Sequence, residues 1–164
     1  MKRLFAFLIS VFLLASTSCA NDSKGTKALN KGELSDMKIS IQITSDSGKS
    51  ELTATLVDNS SAVAFYELLK KGPLIIDMHD YGNFEKVGPL GTTLPRNDTQ
   101  ITTTAGDIIL YQGNQVTIYY DKNSWNFTRL GKVVSTSSTT TITQAELKKI
   151  LGKGDVTAVF EVLP

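Results

Sequence analysis

The chain has 164 residues, which suits a single domain of ordinary size. Its 17 basic and 16 acidic residues nearly balance, and no basic stripe is present, which argues against a nucleic-acid partner. The single cysteine excludes a domain that depends on disulfides.

The N-terminus has the layout of a secretory signal peptide. Two basic residues precede an apolar run over residues 4–15, which is too short to span a membrane. Cys19 follows a few small residues, so we predict a lipoprotein signal peptide at residues 1–18 and lipid attachment at Cys19. Ser16 stands where a lipobox usually has leucine. This keeps open the alternative of an ordinary cut after Ala20, which gives a secreted or periplasmic soluble protein.

Residues 19–36 are polar and have no periodic apolar pattern, so they are predicted to be a flexible tether. With an acylated Cys19, the protein would be anchored in the bacterial cell envelope, and the membrane would be its partner through the N-terminal lipid. Loss of the signal peptide removes two basic residues and changes the formal net charge from +1 to about −1. The folded domain is predicted over residues 37–164.

The folded region is predicted to begin with a hairpin and a helix. Apolar and polar residues alternate over 37–44 and again over 51–58, which is typical of two half-buried strands. The apolar spacing then becomes helical over 62–69. Residues 73–81 have a strand pattern, and 82–88 form a turn and a short return strand.

The middle of the chain is dominated by a long connection and a hairpin. Residues 88–106 are rich in Gly, Pro, Thr and Asn and are predicted to be a long loop, a kind of segment that is often functional. Residues 107–111 and 116–120 flank the turn sequence QGNQ and predict a hairpin. A further short strand is predicted over 129–134.

The end of the chain predicts a loop, a helix and a strand. The serine- and threonine-rich segment 135–141 is polar. Thr143 and Glu146 have the spacing of a capping box, so a second helix begins there and ends at Gly152. Residues 155–162 alternate again and close the chain as a strand.

Strands therefore dominate, and the fold class is predicted to be mainly β. A closed β-barrel of about eight strands, with two α-helices capping its ends, fits this order because closure removes exposed strand edges. A two-layer α+β sandwich is the alternative.

The chain resembles the bacterial cyclophilin-like domains, which are mostly of unassigned function, over nearly all of residues 37–164. The resemblance is strongest in AGDIILYQGNQVTIYYDKNSWNFTRLGKV, residues 105–133. The helix SSAVAFYELLKKG, the segment ITQAELKKILG and the strand DVTAVFEVL stand where cyclophilins have their first helix, last helix and final strand. The resemblance implies the cyclophilin barrel.

True cyclophilins isomerise Xaa-Pro bonds with an apolar pocket and an arginine beside the twisting amide. The matching strand here, LIIDMHDYG, has no arginine, and QVTIYY replaces the family's Gln-Phe-Phe strand. We therefore predict a noncatalytic accessory module that binds a peptide, a protein partner or a small ligand. The alternative is a divergent peptidyl-prolyl cis-trans isomerase in which Arg96 or Arg129 replaces the missing arginine.

Five residues are candidates for ligand binding. Trp125 stands near the family's pocket tryptophan and lies four residues before Arg129, so the two could form a rim that holds a ligand. The alternative is that Trp125 caps the barrel and Arg129 pairs with a surface carboxylate. Arg96 lies in the long connection and could hydrogen-bond a ligand carbonyl. Tyr111 and Tyr119 could line a pocket, although tyrosines in a hairpin usually serve packing.

No catalytic residue is assigned from the sequence. His79, the only histidine, shares a strand face with Asp77 and Tyr81, and a His–Asp pair could serve acid–base chemistry. A surface histidine is the alternative that we favour. The scarcity of histidine and cysteine argues against a zinc or copper site, and the glycines lack phosphate-loop spacing, so neither a metal nor a cofactor is predicted.

Overall fold

The computed structural model describes residues 37–134 and 141–163. The predicted signal peptide, the lipid-attachment residue Cys19, the tether and most of the predicted loop at 135–141 lie outside these described residues and stay predictions.

The described residues form nine strands and two helices. In chain order the elements are β1 (Lys38–Ser45), β2 (Gly48–Leu56), α1 (Ser60–Leu69), β3 (Leu74–Tyr81), β4 (Glu85–Pro89), β5 (Thr99–Thr102), β6 (Asp107–Tyr111), β7 (Gln115–Tyr119), β8 (Ser124–Val134), α2 (Gln144–Leu151) and β9 (Val156–Val162). None of the helices among these elements is long and apolar enough to cross a bilayer.

The strands form one antiparallel sheet in the order β2-β1-β9-β3-β4-β7-β6-β8-β5. An additional pairing of β2 with β8 joins the two sides of this sheet, so eight strands close into a ring. The closing seam runs from Leu56 opposite Gly131 to Thr53 opposite Val134. The mainly β class with two helices is confirmed. We describe the architecture as a ring of eight strands plus a ninth, β5, which lies outside the ring.

The interior of the ring is a continuous hydrophobic core to which both helices contribute. Ile39, Ile41 and Ile43 of β1 alternate into it, as their spacing predicts. Phe65 of α1 packs edge-on against Phe160 of β9, with ring centroids 5.9 Å apart. Such aromatic pairs stabilise a core beyond their buried area.

Both helices begin at conventional caps. The Asn59 side chain accepts a hydrogen bond of 2.8 Å from the backbone of Ala62 at the start of α1. Thr143 and Glu146 form the predicted capping box, in which the Thr143 backbone donates to the Glu146 carboxylate at 2.9 Å. The predicted hairpin around QGNQ is also confirmed, with β6 and β7 as its strands.

Two strand predictions require correction. The segment 88–106 is not a structureless connection, because it contains β5. The strand predicted over 129–134 begins at Ser124 and has 11 residues. The two errors share one cause: Thr99–Thr102 pairs with the first residues of β8, from Phe127 to Ser124. This pairing joins segments that are distant in the sequence, and each is too short to predict a strand by itself: β5 has one apolar residue, and the alternation over residues 124–127 lasts only four residues.

The ring has an inner and an outer face, and part of the outer face is also apolar. Ile108 and Leu110 of β6 point into the interior core, so Ile109 and Tyr111 point outward. A second hydrophobic cluster forms there from Ile109, Tyr119 and Phe127, with Phe84, Ile101 and Tyr111 packed against it. This outer cluster is the floor on which the candidate site is built.

Candidate functional site

A groove of about 610 Å³ lies on the outer face of the ring, across strands β3, β4, β7, β6 and β8. We call it the outer groove. It is lined by His79, Tyr81, Phe84, Glu85, Val87, Tyr111, Gln115, Tyr119, Asn123, Trp125 and Phe127. Its volume falls within the usual range for small-ligand sites.

Aromatic rings form most of the walls of the outer groove. Phe84 stacks on Tyr119 at 6.0 Å, and Tyr119 packs against Phe127 at 5.5 Å. Tyr81 meets Phe84 edge-on at 5.9 Å. Trp125 and Tyr81 are 62% and 58% exposed, so the groove has two large solvent-facing aromatic side chains. Exposed aromatic surface of this kind typically marks an interaction site.

The turn between β3 and β4 places two of these rings. Gly82 and Asn83 both have positive φ, 59° and 57°, as the central residues of a type I′ turn do. A Cβ on Gly82 would lie 2.2 Å from the Phe84 ring. The glycine is therefore required both by its backbone conformation and by the ring that folds back over the turn.

A buried carboxylate lies among the rings. Glu85 pairs with Tyr81 on one side and with Tyr119 on the other, so the three side chains form a row across β3, β4 and β7. Glu85 is 7% exposed, and the Tyr119 hydroxyl is near enough to act on the pKa of its carboxyl group as a hydrogen-bond donor. Burial raises the pKa of Glu85, against the opposing effects of this hydrogen bond and of the charge on His79. Burial and the neighbouring carboxylate also raise the pKa of Tyr119.

The two described arginines do not line the outer groove. Arg129 points to the outer face, but its Nη2 donates to Asp107 Oδ2 at 3.4 Å. Arg96 forms an ion pair with Asp98 in the segment before β5. Both guanidinium groups are thus engaged by carboxylates outside the groove. The isomerase alternative needs one of them beside the bound peptide bond.

The model of the cyclophilin-like family matches residues 45–161 of the chain. The chain belongs to the cyclophilin-like family. The predicted family is therefore confirmed, whereas the lipoprotein form and the bacterial origin stay predictions.

The cyclophilin-like domain is also similar in fold to a solved structure. The solution structure of the hypothetical protein AF2241 from Archaeoglobus fulgidus matches it with a TM-score of 0.51 and 13% sequence identity. The match covers 77% of this chain and 96% of that chain. At this identity the likeness supports the fold alone. No curated protein matches the chain.

The fold of the cyclophilin-like domain brings some of the candidate residues together and separates others. Trp125, Tyr111 and Tyr119 all line the outer groove, whereas Arg96 and Arg129 do not. His79 lines it too, although its predicted neighbour Asp77 is engaged elsewhere. The Asp77 carboxylate accepts a hydrogen bond of 2.8 Å from the Thr157 hydroxyl.

Sequence reasoning missed Glu85 and two aromatic residues of the groove, Phe84 and Phe127. Glu85 lies in a short return strand, where the sequence gives no sign that a carboxylate would be buried, since glutamate is mostly exposed. Phe127 lies in the first four residues of β8, where the alternation with Trp125 is too short to predict a strand by itself. Among residues 37–134 and 141–163, no group of three or more His, Cys, Asp or Glu side chains could hold a metal ion.

Proposed function

We propose that the cyclophilin-like domain is a noncatalytic binding module that holds an extended peptide or a small ligand in the outer groove. The observation that carries the proposal is the aromatic lining, with Trp125 and Tyr81 exposed to solvent at 62% and 58%. Large, stiff aromatic side chains provide contact area at low cost in conformational entropy and dominate many binding surfaces.

A few polar groups among the rings support a binding site rather than a bare apolar patch. Gln115 and Asn123 line the groove and can both donate and accept hydrogen bonds. Ligand sites commonly combine an apolar lining with a small number of such groups, which fix the orientation of the ligand. An extended peptide has backbone N–H and C=O groups that would use them.

The engagement of Arg96 and Arg129 by carboxylates supports a noncatalytic role. Rotation about a peptide bond has a barrier of roughly 18–20 kcal/mol, and its catalysis requires groups that favour the nonplanar state over the planar one. Apolar contacts alone bind the planar and the nonplanar peptide bond equally well, so they leave the rotational barrier unchanged.

Trp125→Ala is expected to weaken peptide binding by about tenfold or more, since truncation of an aromatic anchor commonly costs more than 1.4 kcal/mol of binding free energy. The probes are acetylated and amidated pentapeptides Ala-Ala-Xaa-Ala-Ala with leucine, phenylalanine, proline, lysine or glutamate at Xaa. Affinities are measured by calorimetry. The thermal stability of the variant should barely change, because Trp125 is largely exposed.

Ile75→Ala is the matched control. Ile75 is 68% exposed on β3 but does not line the groove, so its truncation should leave the affinities unchanged. Equal affinities for wild type and Trp125→Ala would contradict the proposal. So would acceleration of cis–trans exchange in the proline pentapeptide by the wild-type domain, because a noncatalytic module leaves that rate unchanged.

We further propose that the domain is attached to an envelope membrane through an acylated Cys19, with residues 19–36 as the tether. The support is the position of the lone cysteine directly after the apolar run and its small residues. The mass of the N-terminal peptide of the mature protein tests this, with Cys19 carrying acyl chains as the expected result. A mature chain that begins at Asn21 would contradict it.

A further inference from the structure

Buried side-chain polar atoms without a partner concentrate on the outer face of the ring. Within the part of the chain that the structure describes they are Glu85 Oε2, Thr117 Oγ1 and Arg129 Nε. Thr117 pairs with Val87 on one side and with Ile109 on the other, in the strand row next to that of Glu85. An unpaired buried polar atom destabilises a fold, and an unpaired carboxylate oxygen does so most.

Glu85 forms no ion pair with a cation of its own chain among the described residues. Its neighbour Lys86 points to the opposite face, where its Nζ donates to Asp80 at 2.7 Å. Arg129 is engaged by Asp107. His79, the one basic side chain among the described groove residues, is exposed and acts on Glu85 through its charge without forming an ion pair with it. The Tyr119 hydroxyl is a single neutral donor, whereas a carboxylate can accept about four hydrogen bonds.

The rings around Glu85 favour a cation as well. Tyr81 and Tyr119 flank Glu85 in the strand row, and Phe84 packs against both rings. Aromatic faces attract ammonium groups. A carboxylate that is only 7% exposed is reached best by a compact charge at the end of a flexible stem. The lysine ammonium has this shape, and the planar guanidinium of arginine is wider. The methylene stem would lie against the aromatic walls.

We propose that the outer groove selects ligands that carry a primary ammonium group, as in a lysine side chain, and that Glu85 receives this group. The inference rests on the proposed function, because it names the class of ligand that the groove would hold.

The test uses acetylated and amidated pentapeptides Ala-Ala-Xaa-Ala-Ala with lysine, acetyl-lysine or norleucine at Xaa. Norleucine keeps the stem without the amine, and acetyl-lysine keeps the length without the charge. Binding is followed by the emission of Trp125, which is the only tryptophan in the chain and lines the groove. The lysine peptide should bind the wild-type domain about tenfold more tightly than the other two, since hydrogen bonds to charged groups are the strong ones.

Glu85→Gln keeps the shape of the side chain and removes its charge, so it should bind all three peptides within about twofold of one another. Glu51→Gln is the matched control, because Glu51 is exposed on β2 outside the outer groove, and it should keep the preference for lysine. If Glu85→Gln fails to fold, the comparison of the lysine and acetyl-lysine peptides in the wild type still tests whether the groove prefers a primary ammonium group.

The outcomes separate the two proposals. Equal binding of the three peptides to the wild type, with a shift in Trp125 emission, would overturn the role of Glu85 and leave the groove as a binding site. A lysine preference that persists in Glu85→Gln would also overturn it. Failure of every pentapeptide to shift Trp125 emission would overturn both proposals.

Discussion

Lys86→Ala is expected to lower the free energy of unfolding by about 2–3 kcal/mol, because it removes a buried, hydrogen-bonded ammonium whose partner Asp80 stays partly exposed. Lys86 is 0% exposed in the interior of the ring. Its Nζ donates to Asp80 Oδ2 at 2.7 Å, to the Gly154 carbonyl at 2.6 Å and to the Gly152 carbonyl at 3.4 Å. It also lies 5.7 Å from the centre of the Tyr120 ring. Its removal leaves these acceptors without their donor.

Lys148→Ala is the matched control for Lys86→Ala. Lys148 also lies over the Tyr120 ring and forms an ion pair of 3.1 Å with Asp121, but both charged side chains are exposed. Such surface pairs contribute about 0–1 kcal/mol. Unfolding in urea, followed by circular dichroism, gives both values. A loss below about 1 kcal/mol for Lys86→Ala would contradict the prediction, because it would mean that the interior accommodates the freed acceptors.

The pH dependence gives Lys86→Ala a second readout. Partial burial acts to raise the pKa of Asp80, but the hydrogen bonds from Lys86 and Tyr120 outweigh it and hold the pKa below its usual value. A carboxyl with a depressed pKa in the folded state stabilises the fold above its unfolded pKa, and this contribution is lost as the pH falls through the folded pKa. The gap in stability between wild type and Lys86→Ala should therefore narrow in acid.

Lys86 and Glu85 link the interior of the ring to the outer groove. Glu85 and Lys86 are adjacent in β4, so the alternation of the strand sends one carboxylate to the outer groove and one ammonium to the interior. The alternation of the strand therefore directs the ammonium group of Lys86 away from the carboxylate of Glu85. The same alternation lets Lys86 hydrogen-bond both β3 and the segment after α2. These contacts stabilise β3 and β4, the strands on which part of the groove lies.

Sequence alone predicted the parts of the fold that local patterns determine. Three examples are the alternating residues of β1, the helical stripe of α1 and the capping box at Thr143. Each pattern involves only residues that are close together in the sequence. β5 and the first half of β8 were missed because their pairing is nonlocal. The alternation of Trp125 and Phe127 with polar residues lasts only four residues, which is too short to predict a strand without its partner.

The candidate site was predictable only in part for the same physical reason. Trp125 and Arg129 do share the outer face of β8, as their even spacing in a strand requires. Whether Arg129 reaches a ligand depends on Asp107, which lies on another strand and engages the guanidinium. Burial of Glu85 depends on Tyr119, which is 34 positions away in the sequence and adjacent in the sheet.

Gly131→Val is expected to lower the free energy of unfolding by about 3 kcal/mol through overpacking at the seam that closes the ring. Gly131 of β8 lies opposite Leu56 of β2. A Cβ at this position would lie 2.6 Å from the Thr55 carbonyl oxygen and 3.1 Å from Leu56 Cα, so backbone atoms would have to move. Gly91→Ala is the control. Its Cβ would meet nothing within 4 Å, and only its φ of +76° adds strain, about 1–2 kcal/mol.

Hydrogen exchange separates an opened seam from a general loss of stability. Four residue pairs, from Thr53–Val134 to Leu56–Gly131, join β2 to β8. If Gly131→Val parts this seam, the amides of β2 and β8 that face each other should lose protection first, while the β3–β4 hairpin keeps it. Uniform loss of protection along the chain would contradict a local opening. Because β8 also carries Trp125 and Phe127, an opened seam should weaken peptide binding in the groove, although Gly131 itself lies outside it.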